Sequence, residues 1–185
     1  MISNQDIKNI CIFCGSRTGT DPLFVTKTEQ LGQEMAKRGY GLVYGGGNVG
    51  LMGAISHAVF NGGASVKGII PHALSQREVS GVTVGEVEFV EDMHTRKNLM
   101  YKLSNAFIAL PGGFGTFDEL FECLTWIQLG IHAKPVEDAS KKGFIDERFV
   151  TSIVFSDDPV DLLNRIETAA PVKSVLDWHD VVPKP

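Results

Sequence analysis

The run Pro111-Gly-Gly-Phe-Gly-Thr-Phe-Asp-Glu119 follows a short apolar stretch, Ala106-Phe-Ile-Ala-Leu110, and leads into a helix-periodic segment. A strand that ends in proline and glycine and turns straight into a helix bares backbone N–H groups beside the positive end of the helix dipole. Such a turn holds an anion, and phosphate is the usual guest. The chemistry lies in what stands next to it. Glu119, expected in the first helical turn, and its neighbour Asp118 put carboxylates within reach of that anion. Thr116-Phe-Asp-Glu119 also has the spacing of a capping box, in which the glutamate reaches back to the N–H of the cap residue. A plain cap needs neither the Pro-Gly-Gly-x-Gly before it nor Asp118 beside it, so Glu119 is read as a working carboxylate. Two carboxylates next to a phosphate repel it, and a cation must compensate.

Candidate cations open the helix predicted after the run Val84–Val90. In Asp92-Met-His-Thr-Arg-Lys-Asn98, Arg96 and Lys97 sit near a helix start, where the dipole does not favour them. The planar fork of Arg96 matches phosphate or carboxylate geometry, whereas Lys97 alone reads as a solvated surface charge. The loop Gly45-Gly-Gly-Asn-Val-Gly50 satisfies G-x-G-x-x-G after Leu42-Val-Tyr44. It follows the second strand rather than the first, and Lys67-Gly-Ile-Ile-Pro-His72 lacks the acidic residue that would hold a ribose hydroxyl. Two readings stay open: a tight turn packing helix on strand, or a loop in which Gly45 and Gly46, with Ser16, touch phosphate or ribose. NAD binding is not expected. No G-x-x-x-x-G-K-[ST] is present, and His57, His72, His94, His132 and His179 fall at no metal spacing. No metal and no cofactor are predicted. Cys11 and Cys14 form an isolated C-x-x-C on a strand, where an odd separation sends the two side chains to opposite faces.

These side chains must be positioned by elements, and the elements alternate. Apolar runs at Ile10–Cys14, Gly41–Tyr44, Ser65–Ile70, Val84–Val90, Ala106–Leu110 and Ser152–Phe155 are separated by helical spacing. Phe24, Thr28, Leu31 and Met35 keep that spacing, as do Leu51, Ile55, Ala58 and Val59, and then Phe117, Leu120, Phe121, Leu124 and Ile127. Strands joined by helices imply right-handed crossovers. The fold class is therefore α/β, a Rossmann-like open parallel sheet flanked by helices on both faces. Ligands bind at the carboxyl ends of such strands, so the loops Gly15–Thr20, Gly45–Gly50, Pro71–Gly81, Glu91–Arg96 and Pro111–Thr116 are expected to border one crevice.

At 185 residues the chain fits one domain, and the segment after Ala170 is expected to be loosely attached. The net charge of −5, without any basic cluster, argues against nucleic-acid binding. No apolar run is long enough to span a membrane, and Met1-Ile-Ser-Asn-Gln-Asp lacks signal-peptide features. An odd cysteine count, three, points to reduced thiols in a cytoplasmic setting.

Taken together the motifs resemble the LOG ("Lonely guy") family of phosphoribohydrolases, formerly labelled lysine decarboxylases. The family pattern P-G-G-x-G-T-x-x-E is matched by Pro111–Glu119. Phe13-Cys-Gly-Ser16, Tyr44-Gly-Gly-Gly-Asn-Val-Gly-Leu-Met-Gly53, Met93-His-Thr-Arg-Lys97 and Trp126-Ile-Gln-Leu-Gly-Ile-His132 match as well, in order from about Ile10 to Arg165. The resemblance implies hydrolysis of the N-glycosidic bond of AMP or N6-modified adenosine 5′-monophosphates, the cytokinin riboside monophosphates, to free base and ribose 5-phosphate. It implies Glu119 and Arg96 as the essential pair, and Glu78, Lys97, Gly113, Phe114, Gly115, Thr116, Phe117, Asp118 and Thr125 as substrate contacts. It also implies a homodimer, with residues near one site supplied by the other protomer. One departure stands out. After Lys134-Pro-Val136 the family continues with a strand, a turn and half a helix, whereas here Glu137-Asp-Ala-Ser follows directly. Roughly twenty residues, enough for a strand and most of a crossover, are missing at that junction, and residues left out of the sequence are the favoured explanation. The alternative reading is a non-catalytic carrier of the same fold, such as a molybdenum-cofactor carrier. A pyridoxal-dependent decarboxylase is disfavoured because no lysine makes a convincing Schiff-base candidate.

Overall fold

The computed structural model describes residues 7–74, 83–129 and 156–169. Five of the six apolar runs are strands: β1 (Asn9–Phe13), β2 (Gly41–Tyr44), β3 (Val66–Pro71), β4 (Glu86–Val90) and β5 (Ala106–Ala109). The sixth, at 152–155, lies outside the described residues, as do Glu78, the Val136–Glu137 junction and the segment after Ala170. Every pairing is parallel and the strand order is β4-β3-β2-β1-β5. Between the strands run α1 (Leu23–Lys37), α2 (Gly50–Asn61), α3 (Met93–Leu103) and α4 (Phe114–Gln128), with α5 (Pro159–Thr168) toward the end of the chain.

The strands are apolar because both faces are covered. Ile10, Ile12, Leu42, Tyr44 and Ile108 pack under α1, α2 and α5 through Leu31, Met35, Ile55, Val59 and Leu163. Cys11, Phe13, Val43, Ile69 and Phe107 pack on the opposite side against Met100 and Tyr101 of α3 and Cys123 and Ile127 of α4. Cys11 and Cys14 belong to these two separate clusters, as the strand period requires. Only β4 departs from the apolar pattern. Glu86 and Glu88 on this outer strand pair with Lys67 of β3 in a charged ladder. Charges of this kind discourage further strand pairing at an edge.

The terminal helix α5 is defined by Asp158, whose carboxylate accepts from the N–H groups of Val160 (2.7 Å) and Asp161 (2.9 Å). It docks through buried Leu163, whose full burial contributes roughly 1.5–3 kcal/mol. Glu167 is held by Arg38 at 2.8 Å and by the Tyr40 hydroxyl at 2.6 Å.

Strand order decides where a ligand can enter. From β1 the chain steps outward through β2 and β3 to β4, then returns to the other side of β1 as β5. The connections leaving β1 and β5 therefore diverge, and a crevice opens between their carboxyl ends. The loop after β1 is pinned to the loop after β5 there, Gly15 N–H donating to the Pro111 carbonyl at 3.1 Å.

Candidate active site

That crevice is a cavity of about 370 Å³. All five loops expected to border it do so, through Gly15 and Ser16, Gly45, Leu74, Met93 and Arg96, and Gly113–Thr116. Glu119 stands on the same lining.

Helix α4 begins one turn earlier than a capping box requires. Its N-cap is Gly113, extended at φ −101° and ψ −159°, with no side-chain cap. Thr116 is consequently the third helical residue, and Glu119 lies in the second turn rather than the first. The N–H groups of Phe114, Gly115 and Thr116 have no partner among the described residues, and Phe117 N–H is the first to be satisfied, by Gly113 O at 3.2 Å. Three bare donors at an uncapped dipole end form an anion seat. Gly112 keeps it compact, because a Cβ there would come within 2.1 Å of Thr116 Oγ1.

Freed from capping, Glu119 points at α3. Its Oε1 lies 3.2 Å from Arg96 Nη2, and both side chains are 8% exposed. Asp92 starts α3 by accepting from Thr95 N–H at 2.8 Å, and these bonds to backbone and side chain hold its carboxyl below the ordinary range. The cap sets Met93 and Arg96 one turn apart, and Nη1 of Arg96 reaches Met93 Sδ at 3.7 Å. Among the described residues, buried Arg96 Nε has no hydrogen-bond partner. A buried guanidinium donor left unpaired is costly. Gly45 makes room for this arginine, since a Cβ at 45 would stand 2.2 Å from Nη2. On the cavity wall, burial and then the Glu119 charge push the Cys14 thiol up to about 12, so it stays a neutral thiol.

The glycine loop after β2 packs its helix end against the loop after β1. The first N–H groups of α2, on Leu51 and Met52, are taken by the Gly15 carbonyl at 3.0 and 3.4 Å. Gly50 adopts φ +62°, and a Cβ there would collide with the backbone of Ser16 and Arg17. Gly45 and Ser16 still line the cavity, whereas Gly46 packs against Ile70.

Of the remaining expected contacts, Gly113, Phe114, Gly115 and Thr116 lie on the cavity, and Lys97, Phe117, Asp118 and Thr125 do not. Lys97 bridges α3 to α4 through Asp118 (3.0 Å) and Glu122 (2.5 Å). Burial pulls its ammonium down, but these two carboxylates outweigh it and lift it above its ordinary value. The Thr125 hydroxyl donates to Phe121 O at 2.8 Å on the exposed side of α4. Phe117 and Asp118 share that side. The cavity also contains residues that the motifs did not single out as site residues, Met52, Leu74, Met93 and Cys14. Met93 was legible in principle, lying three residues before Arg96 on a predicted helix start. Among the described residues, no group of three or more His, Cys, Asp or Glu side chains could hold a metal ion.

A family model described as "Possible lysine decarboxylase" matches residues 52–166. The cytokinin riboside 5′-monophosphate phosphoribohydrolase LOG7 of Arabidopsis thaliana is 44% identical, the alignment covering 94% of this chain and 89% of that protein. LOG1 of the same plant is 47% identical over 89% of this chain and 84% of its own length. LOG of Oryza sativa subsp. japonica is 45% identical over 96% and 75%. The LOG7 alignment spans 194 positions, more than the 185 residues of this chain, so that relative has residues without a counterpart here. Among solved structures, the molybdenum cofactor binding protein of Rippkaea orientalis aligns with a TM-score of 0.68 at 23% identity, covering 88% of this chain and 96% of that one. The Moco carrier protein of Chlamydomonas reinhardtii aligns at 0.66 and 19%, with the same coverage. Likeness at that level of identity establishes the Rossmann-like fold and nothing of function. Identities of 44–47% over three quarters or more of each plant relative establish more: the chain belongs to the LOG family of phosphoribohydrolases.

Proposed function

We propose that this chain hydrolyses the N-glycosidic bond of AMP or of N6-modified adenosine 5′-monophosphates, releasing the free base and ribose 5-phosphate. The observation that carries this reading is one cavity holding both an uncapped helix end with three bare N–H groups and a buried Arg96–Glu119 pair. The 5′-phosphate sits on the N–H groups of Phe114, Gly115 and Thr116, where the α4 dipole favours negative charge. As the bond from C1′ to the base nitrogen breaks, the bonding pair leaves with the base and positive charge builds on the ribose. The Glu119 carboxylate stabilises that charge and takes a proton from the attacking water. Water's hydroxyl joins C1′ and its proton ends on the base. Arg96 keeps Glu119 in place, and its guanidinium, on the cavity lining, faces an oxygen of the nucleotide.

A carrier of this fold has no chemical need for the Arg96–Glu119 pair. Nor does Lys97 suit a decarboxylase, because an ammonium held by two carboxylates is a poor Schiff-base nucleophile. We read the chain as one LOG domain working as a homodimer, supported by the exposed aromatic side of α4, where Phe114, Phe117 and Phe121 stand beside Lys97, Asp118 and Thr125. Among the described residues no helix is long and apolar enough to cross a membrane. The three free, buried cysteines accord with a reducing, cytoplasmic setting. The test is to incubate the protein with AMP, other nucleoside monophosphates and adenosine, and to assay ribose and ribose 5-phosphate. AMP should be cleaved and adenosine left largely intact. Equal cleavage of the two would refute the phosphate seat, and no cleavage of any nucleotide would refute the hydrolase.

A further inference from the structure

Helix α3 holds Glu119 by its backbone as well as by its carboxylate. Tyr101, 4% exposed on α3, donates its hydroxyl to the Glu119 backbone oxygen at 3.1 Å. That oxygen belongs to the second turn of α4, so the contact fixes the helix itself rather than a rotamer. The tyrosine ring is caged in turn. Trp126 lies at 4.3 Å between centroids, tilted by 48°, Phe107 stands edge-on at 5.3 Å, and Phe13 edge-on at 6.5 Å. A ring held from three sides has little freedom to swing its hydroxyl away. Arg96 and Tyr101 are five residues apart on α3, so a single rigid element holds both the side chain and the main chain of Glu119.

We infer that Tyr101 is a positioning residue for Glu119, fixing the backbone of α4 relative to α3 so that the carboxylate faces C1′ while Arg96 holds its tip. This rests on the reading of Glu119 as the hydrolytic carboxylate. Without the hydroxyl, the second turn of α4 can shift locally relative to α3, and the Arg96 bond follows the carboxylate without correcting its distance from the substrate. Positioning errors of an ångström cost about a hundredfold in rate, so a partial loosening should cost about three- to tenfold.

Tyr101→Phe removes the hydroxyl and keeps the caged ring. The expected result is a kcat about three- to tenfold lower, with KM for AMP unchanged, because the phosphate seat is untouched, and with Tm close to wild type. Phe107→Leu is the structural control. It loosens the cage, so it should lower Tm and also weaken the Tyr101 grip in part, and kcat should fall less than in Tyr101→Phe, whose Tm is close to wild type. A Tyr101→Phe enzyme with wild-type kcat, or a kcat that simply follows Tm in both variants, overturns the inference. A wild-type chain inert toward AMP overturns the hydrolase reading and this inference with it, whereas an active wild type matched by Tyr101→Phe overturns this inference alone.

Discussion

Glu119 and Arg96 are each more than nine-tenths buried, and burying a charged pair is expensive in a way that only its function repays. Replacing such a pair by apolar groups often costs nothing, whereas removing one partner leaves an uncompensated charge. The two obvious substitutions at 119 should therefore part company. Glu119→Gln keeps shape and an acceptor for Arg96, so the protein should fold normally while the rate falls by roughly 10²–10⁴. Glu119→Ala should lose activity and also about 3–5 kcal/mol of stability, the cost of stranding a buried guanidinium. Steady-state kinetics together with denaturant unfolding separates the two effects. Near-wild-type activity in Glu119→Gln would remove the carboxylate from the mechanism. At this scale the charge argument that asked for a cation beside Glu119 is met by Arg96 at 3.2 Å, and Lys97 and Asp118, tied to substrate by the family resemblance, pair with each other.

A helix end, unlike a side chain, is difficult to mutate without breaking it, but α4 offers a clean route. Phe114 is the first helical residue, where proline is well tolerated because its missing N–H would be unpaired anyway. Gly113 before it is extended, the conformation proline demands of its predecessor. Phe114→Pro should thus keep the helix and delete one of the three phosphate donors. A hydrogen bond to a charged group contributes about 1.5–3 kcal/mol, so KM for AMP should rise by about tenfold or more with kcat largely kept. Phe114→Ala, which retains the N–H, separates loss of the donor from loss of the exposed ring. An unchanged KM in Phe114→Pro would mean that the phosphate sits elsewhere. The strands, their order of appearance and the crevice loops were legible in the sequence because apolar runs and glycine turns are local signals. The start of α4 was not. Thr116 and Glu119 satisfy the spacing of a capping box, whereas in the structure the helix begins at Phe114 with no side-chain cap and Glu119 is engaged by Arg96 of α3. The packing of Gly45–Gly50 was hidden for the same reason: the acceptor for the Leu51 and Met52 N–H groups, Gly15 O, lies on a different loop.

For the whole molecule, alkaline stability reports on how α5 is attached. Burial, and then the Glu167 carboxylate that accepts its proton, push the Tyr40 hydroxyl up to about 12 from an ordinary 10. A group whose folded pKa is raised stabilises fully below its unfolded value and loses that contribution as pH climbs through the folded one. Native protein should therefore lose stability between pH 10 and about 12. Tyr40→Phe should be less stable below that window, having lost the bond to Glu167, and should show a shallower decline across it. The buried thiol of Cys14 titrates in the same range, so the slope should shrink and not vanish. Urea melts at a series of pH values measure it directly, and an identical slope in the variant would detach Tyr40 from the alkaline limb.

The outer side of α4 raises the question of assembly. Phe114, Phe117 and Phe121 are 95%, 53% and 57% exposed at helical spacing, so one face presents three aromatic rings to solvent. Isolated exposed apolar residues are ordinary, but a contiguous aromatic stripe marks a contact surface. The residues that family resemblance ties to substrate yet stand outside the cavity, Lys97, Phe117, Asp118 and Thr125, cluster on this same side. A second copy packed there would cover the rings and bring those polar groups toward a neighbouring site. Phe121→Glu places a charge within the stripe while leaving the cavity lining untouched, and a carboxylate buried in an apolar interface without a partner is strongly unfavourable. Light scattering after size exclusion should give twice the chain mass for the wild type and the single-chain mass for Phe121→Glu. If the dimer completes the site, the monomeric variant should also show a raised KM for AMP at low protein concentration, recovering as concentration rises. A wild type that runs as a monomer, or a Phe121→Glu dimer indistinguishable from it, would mean that this face serves something other than self-association.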